Sequence, residues 1–308
     1  MRKPRVALAL GSGGAKGLAH IGVINALHEA GCDITAVAGT SMGALIGGIH
    51  ALGKLDVYAD WVGALDKLDV LRLVDWTLRG PGLIKGDRII GTVRELVGDA
   101  DIETLPLPFT AVATDLERQR EVWLSHGRLF DAIRASIAIP TVFHPHRVEG
   151  RLLVDGGLVN PVPVTPLLRE RYDLLVAVSL DGPAQHSGAT TAATDTHEGS
   201  RQGFARFLQH LIGHDNGQAA DAPAPTPGLL QLFGESLELM QGNLARLRLA
   251  AYRPDLLIEL PRDCCAVYEF YRAREMIALG HAIAARVLEQ WRQRADGNDA
   301  GDRGEHVP

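Results

Sequence analysis

Short apolar runs alternate with longer stretches of helical periodicity through the first half of the chain. Arg5–Leu10 (RVALAL) leads into a glycine-rich turn, a helical pattern extends to about Ala30, a second apolar run covers Ile34–Thr40, and Met42–Leu52 reads as another helix. Uninterrupted apolar runs of strand length fit strands covered on both faces, and apolar residues recurring every three or four positions fit helices with one buried face. That β-α-β-α order predicts an α/β fold with a central, mainly parallel sheet flanked by helices. Further strands are expected at Phe109–Glu117, Arg120–Ser125, Arg151–Gly157, Leu174–Leu180 and Asp255–Leu260, and further helices around Asp87–Leu96, Leu129–Ala138, Leu230–Ala251 and Tyr268–Arg292. Together they describe one domain over residues 5–292.

Two segments break the alternation. Residues 183–227 are rich in Gly, Ala, Thr and Pro and carry no strand signal, which predicts a loop insertion or lid. Inside it Phe204, Phe207, Leu208, Leu211 and Ile212 fall on one helical face, fitting either a helix docked on the domain's own core or an interfacial lid helix. The polar, Gly-rich tail at 296–308 is expected to be disordered. No stretch approaches the roughly 18 apolar residues of a spanning helix, so any membrane contact is expected to be peripheral.

Composition narrows the function classes. With 308 residues, 46% of them hydrophobic, the chain is long enough to bury a sizeable core. A formal net charge of -6 and only 5% aromatic residues argue against nucleic acid as a partner, since phosphate neutralisation needs a clustered basic surface. Cys32, Cys264 and Cys265 are too few and too badly spaced for a disulfide framework or a metal site, and a reducing, cytoplasmic compartment fits them best.

The chemistry concentrates where strands hand over to helices. Gly39-Thr40-Ser41-Met42-Gly43 fits G-x-S-x-G at such a junction, where the glycines leave room for a serine thrown out of a tight turn. The bland alternative is a close-packed glycine turn. Gly11–Gly17 (GSGGAKG) follows the first strand and could aim backbone N–H groups at an anion, yet Ala15 and Gly17 flank Lys16 where a Walker loop has Gly and Ser or Thr. The dinucleotide pattern fails as well, because Lys16 stands where its third glycine belongs. Because the first two strands are expected to be neighbours, this turn and Ser41 would meet at one sheet edge. N–H groups of Gly13, Gly14, Ala15 and Met42 there are candidate oxyanion donors. Lys16 either faces an anion or reaches past the turn to solvent. The base for Ser41 is either Asp155, in the strand-end Asp155-Gly156-Gly157 that would otherwise be an ordinary turn, or a histidine such as His186, His197, His210, His214 or His281.

Taken jointly, Gly13–Gly17, Gly39–Gly43 and Asp155–Gly157 resemble, in order and separation, the signatures of the patatin-like phospholipases. Ala135-Ser136-Ile137-Ala138-Ile139-Pro140 and Asn160-Pro161-Val162-Pro163 add to the likeness, which is close over residues 5–182. The resemblance implies a patatin-like three-layer sandwich and hydrolysis of phospholipid, lysophospholipid or other lipid esters without metal or cofactor. It implies Ser41 as nucleophile, Asp155 as base without histidine, and an oxyanion hole in the Gly13–Gly14 turn. Lys16, Gly17, Gly39, Gly43 and Gly156 would support the site. Lys16 departs from the arginine of many members and loses bidentate hydrogen bonding. A scaffold that binds a lipid or protein partner with little turnover is the reading of a different class.

Overall fold

The computed structural model describes residues 2–75, 77, 82–184 and 229–301. Its strands are β1 Arg5–Leu10, β2 Asp33–Thr40, β3 Gly82–Ile84, β4 Phe109–Asp115, β5 Arg120–Leu124, β6 Thr141–Phe143, β7 His146–Val148, β8 Arg151–Asp155, β9 Leu174–Gly182 and β10 Leu256–Pro261. The α-helices are α1 Ala19–Glu29, α2 Met42–Ala51, α3 Leu55–Ala64, α4 Lys67–Leu73, α5 Asp87–Val97, α6 Leu129–Ser136, α7 Leu229–Ala251 and α8 Ala273–Gly301.

An 8-stranded sheet runs β10-β9-β1-β2-β4-β8-β7, with β5 also on β4. The stretch β10-β9-β1-β2-β4 is parallel, and β5, β7 and β8 join antiparallel. Side chains explain the layering. Along β1, Val6, Leu8 and Leu10 point into a large core shared with α1, α2 and α8, whereas Ala7 and Ala9 point into a thinner one beneath Ala245 and Leu249 of α7. In β9, Val176 and Val178 join the first core while Leu175 and Ala177 join the second. Strands covered on both faces need no polar alternation, which is why these runs are apolar throughout. The sheet between two helical layers is the expected three-layer arrangement.

The insertion expected at 183–227 and its amphipathic stretch lie outside the described residues from 185 onward. The last helix continues through Gly301, past the boundary at 292 read from the periodicity, and residues 302–308 are outside the described set. A two-stranded sheet of β3 and β6 stands apart from the main one, tied to α6 by Arg134, whose Nη2 donates to the carbonyls of Lys85 and His144.

Helices α1 and α8 cross backbone to backbone. A Cβ at Gly22 would sit 1.9 Å from the Ile277 carbonyl oxygen, and one at Gly280 would sit 2.1 Å from that of Ala19. Neither obstacle is a side chain that can swing away, so Gly22→Ala forces the helices apart. Overpacking of this kind costs about 1–3 kcal/mol, expected as a lower urea midpoint with turnover per folded molecule unchanged. A wild-type midpoint would mean that the crossing is loose.

Candidate active site

The parallel pairing of β1 with β2 sets Leu10 opposite Gly39, so the glycine turn after β1 and the end of β2 share one sheet edge. There the chain enters α2 through Ser41, at φ 56 and ψ -121. A side chain held in this region costs roughly 1–3 kcal/mol and persists only where its surroundings fix it. Space at this crossing is absent: a Cβ on Gly39 would lie 2.3 Å from the Gly43 oxygen, and one on Gly43 would lie 2.1 Å from the Leu10 oxygen. The Ser41 N–H donates to Ser136 Oγ at 2.9 Å, and that hydroxyl donates onward to the Val112 carbonyl at 2.6 Å. The Ser41 carbonyl accepts from the N–H groups of Ala44 and Leu45, closing the first turn of α2.

Strand β4 explains how Asp155 reaches this point. One edge of β4 is taken by β5 from Ala111 to Asp115. The other is divided: β2 runs along it until Thr40 lies opposite Val112, and β8 arrives from the other direction until Asp155 lies opposite Ala113. The carboxyl ends of β2 and β8 therefore meet head-on at consecutive positions of β4, with Ser41 and Asp155 at the junction. The Asp155 N–H donates to the Ala138 carbonyl at 2.9 Å, and its carbonyl accepts from Thr114 Oγ1 at 2.9 Å. Its Oδ1 accepts the Gly157 N–H at 2.7 Å. Gly156 is pressed against β4, where a Cβ would lie 2.2 Å from the Val112 oxygen.

Both side chains are buried, Ser41 at 4% and Asp155 at 1% exposure. Burial pushes the Asp155 carboxyl up to about 6, against the opposing pull of the Ser41 hydroxyl and the Gly157 N–H. The hydroxyl is near enough for that pull, yet Oδ2 has no partner with hydrogen-bond geometry. The pair is a loose contact of the kind that tightens around a substrate. A carboxylate poised near 6 with an unused oxygen beside a serine hydroxyl can take its proton.

The glycine turn is strung between neighbours. Gly11 and Ser12 donate their N–H groups to the carbonyls of Val178 and Pro161. Among the described residues the N–H groups of Gly13, Gly14 and Met42 have no acceptor, which leaves three expected donors free at the same edge as Ser41. Ala15 departs from expectation: its N–H already donates to the Val267 carbonyl at 2.9 Å and is not free for an oxyanion. Lys16 does not reach solvent; it is 6% exposed, and its Nζ donates to the Arg262 carbonyl at 3.4 Å. Gly17 lies beneath Met42, where a Cβ would come 2.4 Å from Cγ.

Neither Ser41 nor Asp155 has a histidine partner among the described residues. His281 pairs with Glu29 at 2.8 Å, at the end of α1 that leads into β2 and so at the opposite sheet edge. His186, His197, His210 and His214 lie outside the described residues. His20, which the sequence did not single out, is fully buried with Nε2 2.8 Å from the Gly11 oxygen, and desolvation lowers its pKa to about 4, so it is neutral and donates. Ser136 and Thr114 are the other polar groups the motifs did not assign. Ser136 stood in the visible A-S-x-A-x-P segment, while Thr114 has no signal beyond its place in a strand. Among the described residues no three His, Cys, Asp or Glu side chains gather as a metal-binding group. A concavity lined by Val37, Pro108, Phe109 and Leu167 lies at the opposite ends of β2 and β4 and takes no part here.

Residues 8–168 match the model of the family described as patatin-like phospholipase. An uncharacterized NTE family protein of Mycobacterium tuberculosis is 43% identical over 93% of this chain and 92% of its own length. Lysophospholipase nte1 of Emericella nidulans is 32% identical over 92% of this chain, which corresponds to 18% of that protein. Among solved structures, VipD from Legionella pneumophila aligns with a TM-score of 0.46 and 16% identity, covering 94% of this chain and 67% of that one.

The raised pKa of Asp155 has a thermodynamic consequence. Its stabilising protonated form is fully present below the unfolded value of 3.8 and is lost as pH rises through about 6, so the ionised carboxylate weakens the fold above that. Asp155→Asn keeps an acceptor for Gly157 and removes the charge. It is expected to be more stable than wild type by about 2–3 kcal/mol at pH 8, the gain vanishing toward pH 4, in urea unfolding. A variant of equal or lower stability at pH 8 would mean that the carboxylate is not desolvated.

Proposed function

The chain belongs to the patatin-like phospholipase family of lipid ester hydrolases, and we propose that it cleaves its ester with a Ser41–Asp155 dyad. The observation that carries this reading is the head-on meeting of β2 and β8 along β4, which brings a strained serine against a buried carboxyl with an unpartnered oxygen. Asp155 takes the Ser41 proton as Oγ attacks the ester carbonyl. The oxyanion that forms is held by the free N–H groups of Gly13, Gly14 and Met42, each worth roughly 3–4 kcal/mol when well placed. Collapse transfers the acyl group to Ser41, and Asp155 returns the proton to the departing alcohol. Water, deprotonated by the same carboxylate, then attacks the acyl-enzyme, and the proton passes from Asp155 to Ser41 Oγ as the fatty acid leaves. Gly39, Gly43 and Gly156 shape the backbone around these steps, and Lys16 and Gly17 hold the turn.

The substrates this reading favours are phospholipids and lysophospholipids, in keeping with the name of the fungal relative. Among the described residues no helix is long and apolar enough to cross a membrane, so the site would meet lipid from the membrane surface or from micelles. Residues 5–292 would form one hydrolase domain.

Hydrolysis of lysophosphatidylcholine and of a short p-nitrophenyl ester tests this with wild type, Ser41→Ala and Asp155→Asn, each checked for folding by circular dichroism. Each variant is expected to lose about 10³-fold or more in kcat on both substrates, because residues that act as a unit fail together. A folded Ser41→Ala within tenfold of wild type would overturn the assignment. Wild-type kcat is expected to rise about tenfold per pH unit on the acid side and level off above a midpoint near 6, where Asp155 ionises. A profile flat between pH 5 and 7 would exclude Asp155 as the base.

A further inference from the structure

Ser41 and Asp155 arrive on different strands, yet both are hydrogen-bonded to one short stretch at the end of α6. Ser136 Oγ accepts the Ser41 N–H at 2.9 Å, and the Ala138 carbonyl accepts the Asp155 N–H at 2.9 Å. The Ser136 hydroxyl also donates to the Val112 carbonyl at 2.6 Å, at the β4 position opposite Thr40. Ser136–Ala138 therefore spans the junction of β2 and β8, bonded to Ser41 on one side, to Asp155 on the other, and to β4 through the Val112 carbonyl.

We propose that Ser136 is a positioning residue for the hydrolysis, holding Ser41 in the conformation that presents its hydroxyl to Asp155; this rests on the dyad reading above. The chemistry leaves one polarity. A peptide N–H can only donate and a carbonyl can only accept, so the group between Ser41 and Val112 has to do both, as a hydroxyl does. Ser136 is fully buried, so solvent does not replace it. Without that acceptor the Ser41 N–H is orphaned at a residue already held at φ 56. The turn then relaxes toward negative φ and carries Oγ away from the carboxyl. The Asp155 anchor is the Ala138 backbone carbonyl, which substitution of the Ser136 side chain leaves in place. Loss should therefore fall on the nucleophile and not on the base.

The test uses p-nitrophenyl ester kinetics of the full chain across pH for Ser136→Ala, Ser136→Thr and Ser136→Cys, with Ser41→Ala alongside. Misplacement of about 1 Å costs on the order of 100-fold. Ser136→Ala is expected to lose roughly 30- to 100-fold in kcat with KM within about threefold, and its acid limb should stay near pH 6. Ser136→Thr, which keeps the hydroxyl, should recover most of the rate. A folded Ser136→Ala with wild-type kcat would overturn the proposal, as would one that loses rate only in proportion to its unfolded fraction. Where Ser136→Ala does not fold, Thr and Cys decide: a slower Cys variant, the weaker acceptor, supports the proposal, and equal rates overturn it. Full turnover in Ser41→Ala would remove the dyad reading and this one with it; an inactive Ser41→Ala beside an unimpaired Ser136→Ala would remove this one alone.

Discussion

Everything at the site depends on two strands sharing one edge of β4. β2 leaves that edge after Thr40 because the chain turns into α2, and the positions beyond, from Ala113 to Asp115, need new hydrogen-bond partners. β8 supplies them from the opposite direction. Had β8 run parallel, its amino end would have faced Thr40 and Asp155 would have finished at the far tip of β4. Antiparallel pairing at this one place turns two unrelated strand ends into neighbours.

The arrangement is energetically unfavourable locally. Ser41 sits in a left-handed conformation, and Asp155 ionises in a desolvated setting, together on the order of several kcal/mol against a net stability of roughly 5–15 kcal/mol for a typical domain. The surrounding structure offsets this. Val6, Leu8, Leu10, Val176 and Val178 are wholly buried in the strands that lead to the site, and the polar groups beside it are satisfied by Ser136, Thr114 and Gly157. At the site itself, Asp155 Oδ2 and the N–H groups of Gly13, Gly14 and Met42 are left without partners among the described residues, where a reacting ester can use them. His20, bonded to the Gly11 carbonyl from inside the core, fixes the turn that bears the first two of these donors.

Much of this was legible in the sequence, and the limits are physical. The sequence pattern marks β1 at its observed bounds, α2 within one residue and α6 within two, because continuous apolar runs and helical periodicity report burial directly. β3, β6 and β7 were missed, since strands of 3 residues carry no periodicity to read. α3 and α4 escape the pattern as well: α3 has only 10 residues and three buried positions, Leu55, Tyr58 and Val62, and α4 has none. G-x-S-x-G and D-G-G named Ser41 and Asp155 from local geometry, but the direction of β8, which joins them, is a property of the whole sheet. The local motif offers the Ala15 N–H as a donor, but Val267, far along the chain and beyond any local motif, takes it up. Ser136 was visible as a residue and invisible as a hydrogen-bond relay, because both of its partners are backbone groups that carry no sequence identity.

The place where an electrophile attaches to the chain bears most directly on the proposed chemistry. After brief exposure to an alkyl fluorophosphonate, peptide mass spectrometry is expected to find the phosphonyl group on Ser41. Its rate of attachment should climb through pH 6 with the ionisation of Asp155. An adduct on another residue, or labelling of Ser41 at a rate indifferent to pH, would contradict a nucleophile activated by that carboxylate.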